Sequence, residues 1–185
     1  VDSDAEPDQR HLYMASLKNR PVSVVISNLA PLVEDGRYPT KRVVDEVIHV
    51  SADIFKDGHD IICANLLWRT AEKIKWQEVP MTHCDNDRWG ATLNLDKTGP
   101  YEIKVKAWAD DFLSWIHDFE RRLTGDQKDF STEVEEGRVI LGGAAIRAAT
   151  GKSVEDAEAI EALTTQLMKV EPADVPGLLH SPEVA

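Results

Sequence analysis

The sequence predicts a mixed β and α protein, with an antiparallel β-sandwich over residues 21–110 and a helical subdomain over 111–185. Two observations predict this division. Up to Asp110 the apolar residues recur with the two-residue period of half-buried strands, and turns rich in Asp and Gly separate these runs. After Asp110 they recur at three and four residues, as on one face of an amphipathic helix. Residues 1–20 show neither period and are predicted to be a leader that docks late or stays disordered.

The strands follow from their runs in chain order. The short β-branched run VSVVI predicts a strand at 22–26 that ends at the turn-rich SNLAP. A second strand is predicted over 44–54, with Val44, Ile48, Val50, Ala52 and Ile54 on one face. Glu46 interrupts that face, which indicates a bend or a strand start there. The run IICANLLWR is apolar on both faces, which favours a central place in its sheet. Strict alternation predicts two further strands, in DRWGATLNLD and GPYEIKVKAWAD.

Three helices are predicted in the second part of the chain. The segment FLSWIHDFERRL has one apolar face, formed by Phe112, Trp115, Ile116, Phe119 and Leu123. A second helix, DFSTEVEEGRVILGGAAIRAAT, is predicted to be capped by Ser131 or Thr132 and to kink at Gly142-Gly143. A third, SVEDAEAIEALTTQLM, opens at Ser153 with an acidic first turn. The terminal LLHSPEVA has the capping residue and proline of a further helix start at Ser181.

Composition and charge exclude several classes of function. The chain has 33 acidic and 21 basic residues, a net charge of −12, which argues against a nucleic-acid binder. It contains no run of about 18 apolar residues, so no membrane span is predicted. Its two cysteines form no spaced metal or redox motif, and no secretory signal peptide is visible. These features favour a cytoplasmic protein without cofactor.

Catalytic and metal-binding patterns are also weak. The candidates for acid–base or metal-binding roles are the acidic groups Asp85-Asn86-Asp87 and Asp110-Asp111 and the histidines His59 and His117. No Ser or Cys nucleophile motif accompanies them. The Asp85–Asp87 segment lacks the spaced oxygens and closing glutamate of a calcium loop, so a β-turn is predicted. We therefore predict no catalytic residue and no metal ligand.

The tryptophans leave two alternatives open. Trp108 faces away from its apolar neighbours and Trp76 lies in the polar segment IKWQEV, so both are candidates for stacking on sugar rings. The alternative for Trp108 is that the amphipathic helix after it docks over the ring, which would make it part of a core.

Several uninterrupted runs closely resemble a known family. The segments VVISNLAPLVEDGRYPTKRVVDEVIHVSADIFKDGHD, WQEVPM, DNDRW and YEIKVKAWADDFLSWIHDFERRL resemble the N-terminal domain of bacterial α-1,4-glucan:maltose-1-phosphate maltosyltransferases of glycoside hydrolase family 13. The resemblance runs in order from about Pro21 to Leu123, and EVEEGRVIL and LLHSPEVA look like parts of the helical insertion of that domain.

The resemblance implies a fold, a reaction and a partner. It implies an immunoglobulin-like sandwich interrupted by a helical insertion, which takes part in a homodimer. Family members transfer maltosyl units from α-maltose 1-phosphate to the non-reducing ends of α-1,4-glucans by a retaining mechanism. An aspartate and a glutamate of a (β/α)₈ barrel perform that chemistry, and these 185 residues contain no such barrel pattern. The resemblance also implies that the chain is cut inside a domain, with the sandwich lacking its closing strand.

The resemblance assigns structural roles to the positions that match the family's recurrent motif. Pairs of Arg42 or Arg88 with a nearby Asp are expected to fix loops, and Gly and Pro to set turns. These positions are Gly36, Arg37, Pro39, Arg42, Asp53, Gly58, His59, Asp60, Asn86, Asp87, Arg88, Trp89, Trp108, Trp115, His117 and Asp118. The sequence thus predicts a non-catalytic assembly domain or, as the alternative, a carbohydrate-binding module that grips α-glucan through Trp76 or Trp108.

Overall fold

The computed structural model of the chain describes residues 24–151 and 153–180. The described residues form antiparallel β-sheets and α-helices, which confirms the predicted fold class. They divide into two compact units, a β unit of residues 24–58 and 64–108 and a helical unit of residues 59–63 and 109–180. None of the described helices is both long and apolar enough to cross a lipid bilayer.

The described residues contain seven strands, which form two sheets. One sheet has the order β1-β2-β6-β5 and the other the order β4-β3-β7. The strands are β1 (Val25–Ala30), β2 (Val47–Phe55), β3 (Ile62–Thr70), β4 (Gln77–Pro80), β5 (Thr82–Asp85), β6 (Arg88–Asn94) and β7 (Tyr101–Ala109). β3 lies between β4 and β7, which confirms its predicted central position. Two sheets with this alternation are the layers that a sandwich requires.

The core of the β unit comes from one face of each strand. Successive side chains of a strand point to opposite faces, so residues two apart share a face. On β2, Val50, Ala52 and Ile54 are almost fully buried, and the register sets Val50 opposite Ala91 of β6. The other buried apolar residues of this unit are Ala64, Leu66, Met81, Leu93 and Leu95.

Two strand boundaries differ from the sequence prediction. β1 continues to Ala30, through residues that were predicted to be a loop, because Ala30 still pairs with Ser51 of β2. An irregularity between Ser27 and Ala30 permits this, and Asn28 takes a φ of 48° within it. β2 begins at Val47, as the interruption at Glu46 predicted, which leaves Val44 outside the strand and partly exposed.

Two strands were missed. β4 and β5 have only four residues each and are mostly polar, so neither shows an apolar period. Pairing partners define them: Leu66 of β3 lies opposite Val79, and Trp89 of β6 lies opposite His83. The predicted turn after Asp85 is confirmed, since Asn86 and Asp87 connect β5 to β6 and Asn86 has a φ of 46°.

The helical unit contains four helices, α1 (Asp111–Leu123), α2 (Ser131–Thr150), α3 (Val154–Leu167) and α4 (Val175–Leu179), in the part of the chain that is described. The predicted apolar face of α1 is confirmed: Trp115, Ile116 and Phe119 are buried, and Phe112 and Leu123 pack against the same cluster. Phe130, Leu141, Leu163, Leu167, Val175 and Leu179 complete that cluster.

The N-termini of α2 and α3 differ from the predicted caps. Neither Ser131 nor Thr132 caps α2: Phe130 holds the N-cap position, and the Asp129 carboxylate accepts a hydrogen bond from the Ser131 N–H at 2.9 Å. α2 is one continuous helix through Gly142 and Gly143. Ser153 is the N-cap residue of α3, but its hydroxyl bonds to the Asp156 carboxylate rather than to the backbone.

The end of the described chain adds one unpredicted helix. α4 is short and follows a 3-10 turn at Pro172–Asp174, so it carries too few residues to show a helical period. The leader 1–20 and the helix predicted from Ser181 lie outside the described residues. The segment 59–63 groups with the helices because Asp110 N–H bonds to Ile61 O at 2.8 Å and Ile61 N–H bonds to Ser114 Oγ at 2.7 Å.

Candidate functional site

Trp76 lies beneath two cations in the β unit. The Arg69 guanidinium lies 4.6 Å from the ring centroid and the Lys104 ammonium 4.3 Å from it. Both distances are within the range of cation–π attraction. Glu102 holds Arg69 in place, because its Oε2 accepts from the Arg69 Nε at 2.8 Å. The ring of Trp76 is half-buried, so part of it still contacts solvent.

Trp108 has a similar environment. It lies on β7, where Lys104, Lys106 and Trp108 share one face by alternation. The Lys106 ammonium lies 5.3 Å from the centroid of the half-buried Trp108 ring. A pyranose ring stacked on that face of either tryptophan would have to displace a lysine, or, at Trp76, an arginine.

Arg88 makes the most connected polar contact in the β unit. Its Nη1 donates to Asp53 Oδ1 at 2.8 Å and to Asn28 O at 3.0 Å, and its Nη2 donates to Ser51 Oγ at 2.7 Å. Asn28 also donates to Asp53 Oδ2 at 2.6 Å. The hydrogen bond from Asn28 and then that from Arg88 lower the pKa of Asp53. We call these four residues the Arg88 node, which joins β1, β2 and β6.

The predicted pair of Arg88 with an aspartate is present, whereas the part that Asn28 takes in it is not foreseen from the sequence. Asn28 lies in a run that the sequence predicts to be a loop, so nothing indicates that the Asn28 amide reaches Asp53. Of the other matched positions, Asn86 and Asp87 form the β5–β6 turn, and the Trp89 ring meets His83 edge-on at 5.3 Å.

The loop before β2 holds another group of the matched positions. Glu34, Asp35 and Gly36 have φ values of 46°, 55° and 86°, so three successive residues are in the left-handed region. A glycine suits the last of them. Arg42 meets Glu46 at 3.4 Å rather than an aspartate, and both side chains are about one-third exposed. Arg37 and Pro39 are exposed in the same loop, and Gly58 takes a φ of 103° in the turn after β2.

In the helical unit, Trp115 packs directly on the backbone of α2. A Cβ added at Gly137 would lie only 2.2 Å from the Trp115 ring, so this contact requires glycine. The Trp115 Nε1–H donates to the Glu133 carbonyl at 2.8 Å. The side chain of Glu133 is itself buried, and its Oε1 accepts from Arg122 and from Gln127. Its Oε2 has no hydrogen-bond partner among the described residues.

A cavity of about 290 Å³ opens beside this contact. Trp115, Phe119 and Ile140 form its apolar part, and Asp60, Asp111, Asp118, Arg122, Glu133 and Glu136 line it with charge. Asp118 pairs with Arg121 at 3.0 Å. His117 and His59 are both exposed, so neither is part of a core.

The described residues offer little for acid–base or nucleophilic chemistry. Each carboxyl group whose pKa departs clearly from its ordinary value has it lowered, as hydrogen bonds to Asp53, Asp129, Glu133 and Glu135 require. Burial, and then the nearby charge of Asp110, raise the pKa of the Cys63 thiol, so it is a poor nucleophile at neutral pH. Within the described chain no group of three or more His, Cys, Asp and Glu side chains is arranged to hold a metal ion.

Comparison with known proteins gives one consistent match. The family model for domain N/S of alpha-1,4-glucan:maltose-1-phosphate maltosyltransferase matches residues 22–185. Among curated relatives, the protein of that name from Myxococcus xanthus is 36% identical over 167 residues, which cover 88% of this chain and 25% of the relative.

Two further relatives carry the same name. The protein from Chlorobaculum tepidum is 40% identical over 125 residues, covering 68% of this chain and 18% of its own. The protein from Rhodospirillum rubrum is 38% identical over 134 residues, which cover 65% of this chain and 19% of the relative. The chain thus spans about a quarter or less of the curated relatives it matches.

Proposed function

Because the chain belongs to the family of alpha-1,4-glucan:maltose-1-phosphate maltosyltransferases, where it matches domain N/S, we propose that it is a non-catalytic assembly domain of such an enzyme. In this proposal it forms part of the contact between two subunits of a homodimer. The whole enzyme transfers maltosyl units from α-maltose 1-phosphate to the non-reducing ends of α-1,4-glucans with retention, in the synthesis of a glycogen-like polymer. We place that enzyme in the cytoplasm, and its glucan and donor substrates bind to its catalytic domain.

The match to domain N/S, which covers a quarter or less of the curated relatives, carries the non-catalytic role, and the carboxyl groups of the described residues agree with it. A retaining glycoside transfer requires one carboxyl group that stays protonated near neutral pH and a second one about 5–5.5 Å from it. Such an acid has a raised pKa. The clearly shifted carboxyl groups among the described residues all have lowered values, because hydrogen-bond donors stabilise their ionised forms. These groups are suited to holding loops and helices rather than to donating protons.

An exposed stripe on α2 supports the assembly role. Val139 and Ile146 lie two turns apart on one helix face and are 59% and 70% exposed. Between them, Gly142 has open space where a side chain would be. Apolar side chains beside a glycine let a second helix approach closely. Such a surface suits contact with another polypeptide better than contact with a sugar.

The experiment combines a mass measurement with an activity measurement on the same chain. Light scattering is expected to give twice the mass of the chain at micromolar concentration. Incubation with α-maltose 1-phosphate and maltoheptaose is expected to release no phosphate. Phosphate release would contradict the non-catalytic role, and a monomer at every concentration would contradict the assembly role.

A carbohydrate-binding module is the second candidate, because Trp76 and Trp108 both keep part of their surface exposed. Aromatic rings of this kind can stack on sugars, but here Arg69, Lys104 and Lys106 lie over them. Titration with maltoheptaose while following tryptophan fluorescence distinguishes the two functions. We expect no saturable change. A saturable quench that disappears in Trp76→Ala or Trp108→Ala would favour the carbohydrate-binding function.

A further inference from the structure

We propose that the lysine-bearing face around Trp76 docks the acidic face of helix α3 from a second copy of this chain. This inference rests on the proposed assembly function and names two surfaces, in addition to the α2 stripe, that would take part in the contact. The first surface, the basic face, consists of Arg69, Lys104 and Lys106 with the neighbouring loop residues Lys73–Lys75. The second, the acidic face, consists of Val154, Glu155, Glu158 and Glu161.

The basic face carries net positive charge in an otherwise acidic chain, since its five cations outnumber the neighbouring Glu72 and the Glu102 that pairs with Arg69. Arg69 is paired with Glu102, but Lys104 and Lys106 have no ion-pair partner among the described residues, and each lies over a tryptophan ring. The loop is held next to them, since Arg69 Nη1 bonds to Ile74 O at 3.4 Å. That loop adds two more exposed lysines, Lys73 and Lys75.

An apolar side chain projects from the same loop. Ile74 is 92% exposed, the highest value among the large apolar side chains that are described. A single exposed apolar residue is ordinary. Here, however, it stands between Lys73 and Lys75, which gives the face an apolar contact point surrounded by cations. A surface of this composition fits a partner that has an apolar residue beside carboxylates.

The acidic face of α3 has that composition. Val154 is 63% exposed, and Glu158 and Glu161 follow it at four and seven residues, so the three lie on one side of the helix. Glu155 adjoins them, and all three glutamates are exposed. Residues 154–167 contain no Lys or Arg, and no ion pair in the described structure involves these glutamates. The face is therefore negative and unpaired.

This arrangement is unfavourable for the isolated helix. Like charges three residues apart on a helix repel each other. The helix dipole compensates for Glu155 in the first turn but not for Glu158 and Glu161 beyond it. A partner that supplies cations removes the repulsion, so the charge pattern favours a complex over the free chain.

The spacing of the two sets of charges is compatible. Lys104 and Lys106 are two residues apart on β7, which is about 6.6 Å along a strand. Glu158 and Glu161 are three apart on a helix, where neighbouring Cβ atoms lie about 5–6 Å from each other. Flexible lysine side chains readily take up the difference. Two copies related by a two-fold axis would form this contact twice.

A charge-swap experiment tests the inference. Variant one, Lys104→Glu with Lys106→Glu, makes the basic face acidic, and variant two, Glu158→Lys with Glu161→Lys, makes the acidic face basic. In each variant alone, like charges meet at both contacts, so the dimer dissociation constant is expected to rise at least tenfold. Mixed together, the two variants present opposite charges at both contacts, and a dimer of near wild-type affinity is expected. Sedimentation equilibrium measures the dimer dissociation constant of each variant and of their mixture.

Controls separate the possible failures. Lys41→Glu with Lys97→Glu changes the net charge by the same amount at exposed positions of the β unit and should leave the dimer unchanged. Circular dichroism establishes that each variant is folded. A wild-type dimer that neither swap weakens, or variants that stay monomeric when mixed, would overturn the inference and leave the assembly function standing. A wild-type chain that is monomeric at all concentrations would contradict both the charged contact and the assembly function.

Discussion

The two units each contain an arginine–carboxylate pair, but the pairs have different surroundings. In the β unit, Arg88 and Asp53 are both about one-third exposed, and each oxygen of Asp53 has a donor, from Arg88 and from Asn28. In the helical unit, Arg122 is exposed whereas the Glu133 side chain is 7% exposed. One oxygen of Glu133 has two donors and the other has none among the described residues.

The two arginine–carboxylate pairs differ in how much they contribute to the structure of their units. The Arg88 node is a polar connection between three strands that water can partly replace, so its loss costs little. Glu133 is placed by its backbone, whose carbonyl accepts from the Trp115 indole while the Trp115 ring lies on Gly137. Burying a carboxylate oxygen without a donor is unfavourable, and the packing of Trp115 must compensate for it. Close packing therefore determines the helical unit, and distributed hydrogen bonds determine this part of the β unit.

The largest effect is expected from Gly137→Ala. The added methyl group would overlap the Trp115 ring, and overpacking in a core costs about 1–3 kcal/mol or more. The gain in helix propensity, about 1 kcal/mol, offsets only part of this. We expect a net loss of about 1–2 kcal/mol in the free energy of unfolding, because the overlap with the ring is severe, measured by urea denaturation followed by circular dichroism.

Gly142→Ala is the matched control for this change. Gly142 lies in the same helix, and a Cβ there would meet nothing within 4 Å. The substitution is expected to stabilise the chain by about 0.5–1 kcal/mol, since only the propensity gain remains. Equal effects at Gly137 and Gly142 would show that the contact with Trp115 does not determine stability.

A smaller effect is expected from Arg88→Ala. This change removes the donors to Asp53, Ser51 and the Asn28 carbonyl, and we expect a loss of about 1 kcal/mol because these groups are partly exposed. Arg121→Ala is the control: its pair with Asp118 is exposed, so less than about 0.5 kcal/mol should be lost. Chemical denaturation of both variants gives the comparison. A loss at Arg88 above that at Gly137 would reverse the roles assigned to the two units.

The sequence predicts the long elements of both units well. β2, β6, β7 and α1 each show a clear apolar period over seven or more residues, and β3 is recognised instead as a short run that is apolar on both faces. β4, β5 and α4 are not predicted from the sequence, since four or five residues are too few to show an apolar period. Their positions depend on pairing and packing with distant segments, which a single sequence does not display.

The contacts at the candidate sites could be predicted only in part. The pairing of Arg88 with an aspartate followed from residue type, but the contribution of Asn28 depended on an irregular strand. The contact between Trp115 and Gly137 joins residues 22 positions apart on two helices, and only the buried face of α1 could be foreseen. Likewise, nothing in the local sequence of Trp76 places Lys104 over its ring.

The smallest expected effect is the difference between the two units in their loss of stability at low pH. Acid acts on carboxyl groups that are mostly exposed and therefore only weakly coupled to folding. Three carboxyl groups of the helical unit have a lowered pKa. The Ser131 backbone lowers that of Asp129, Gln127 and then Arg122 lower that of Glu133, and Arg138 lowers that of Glu135. In the β unit only Asp53 is shifted clearly among the described carboxyl groups, chiefly by Asn28.

The sign follows from linkage. A carboxyl group whose pKa is lower in the folded chain stabilises folding above its unfolded pKa, and this stabilisation disappears as the pH falls through the folded value. The loss therefore begins near pH 4.5 for the glutamates and near 3.8 for the aspartates. With three such groups against one, helical-unit amides should lose hydrogen-exchange protection at a higher pH than β-unit amides. Glu133→Gln with Glu135→Gln should narrow this gap, whereas simultaneous loss in both units would mean that they unfold as one.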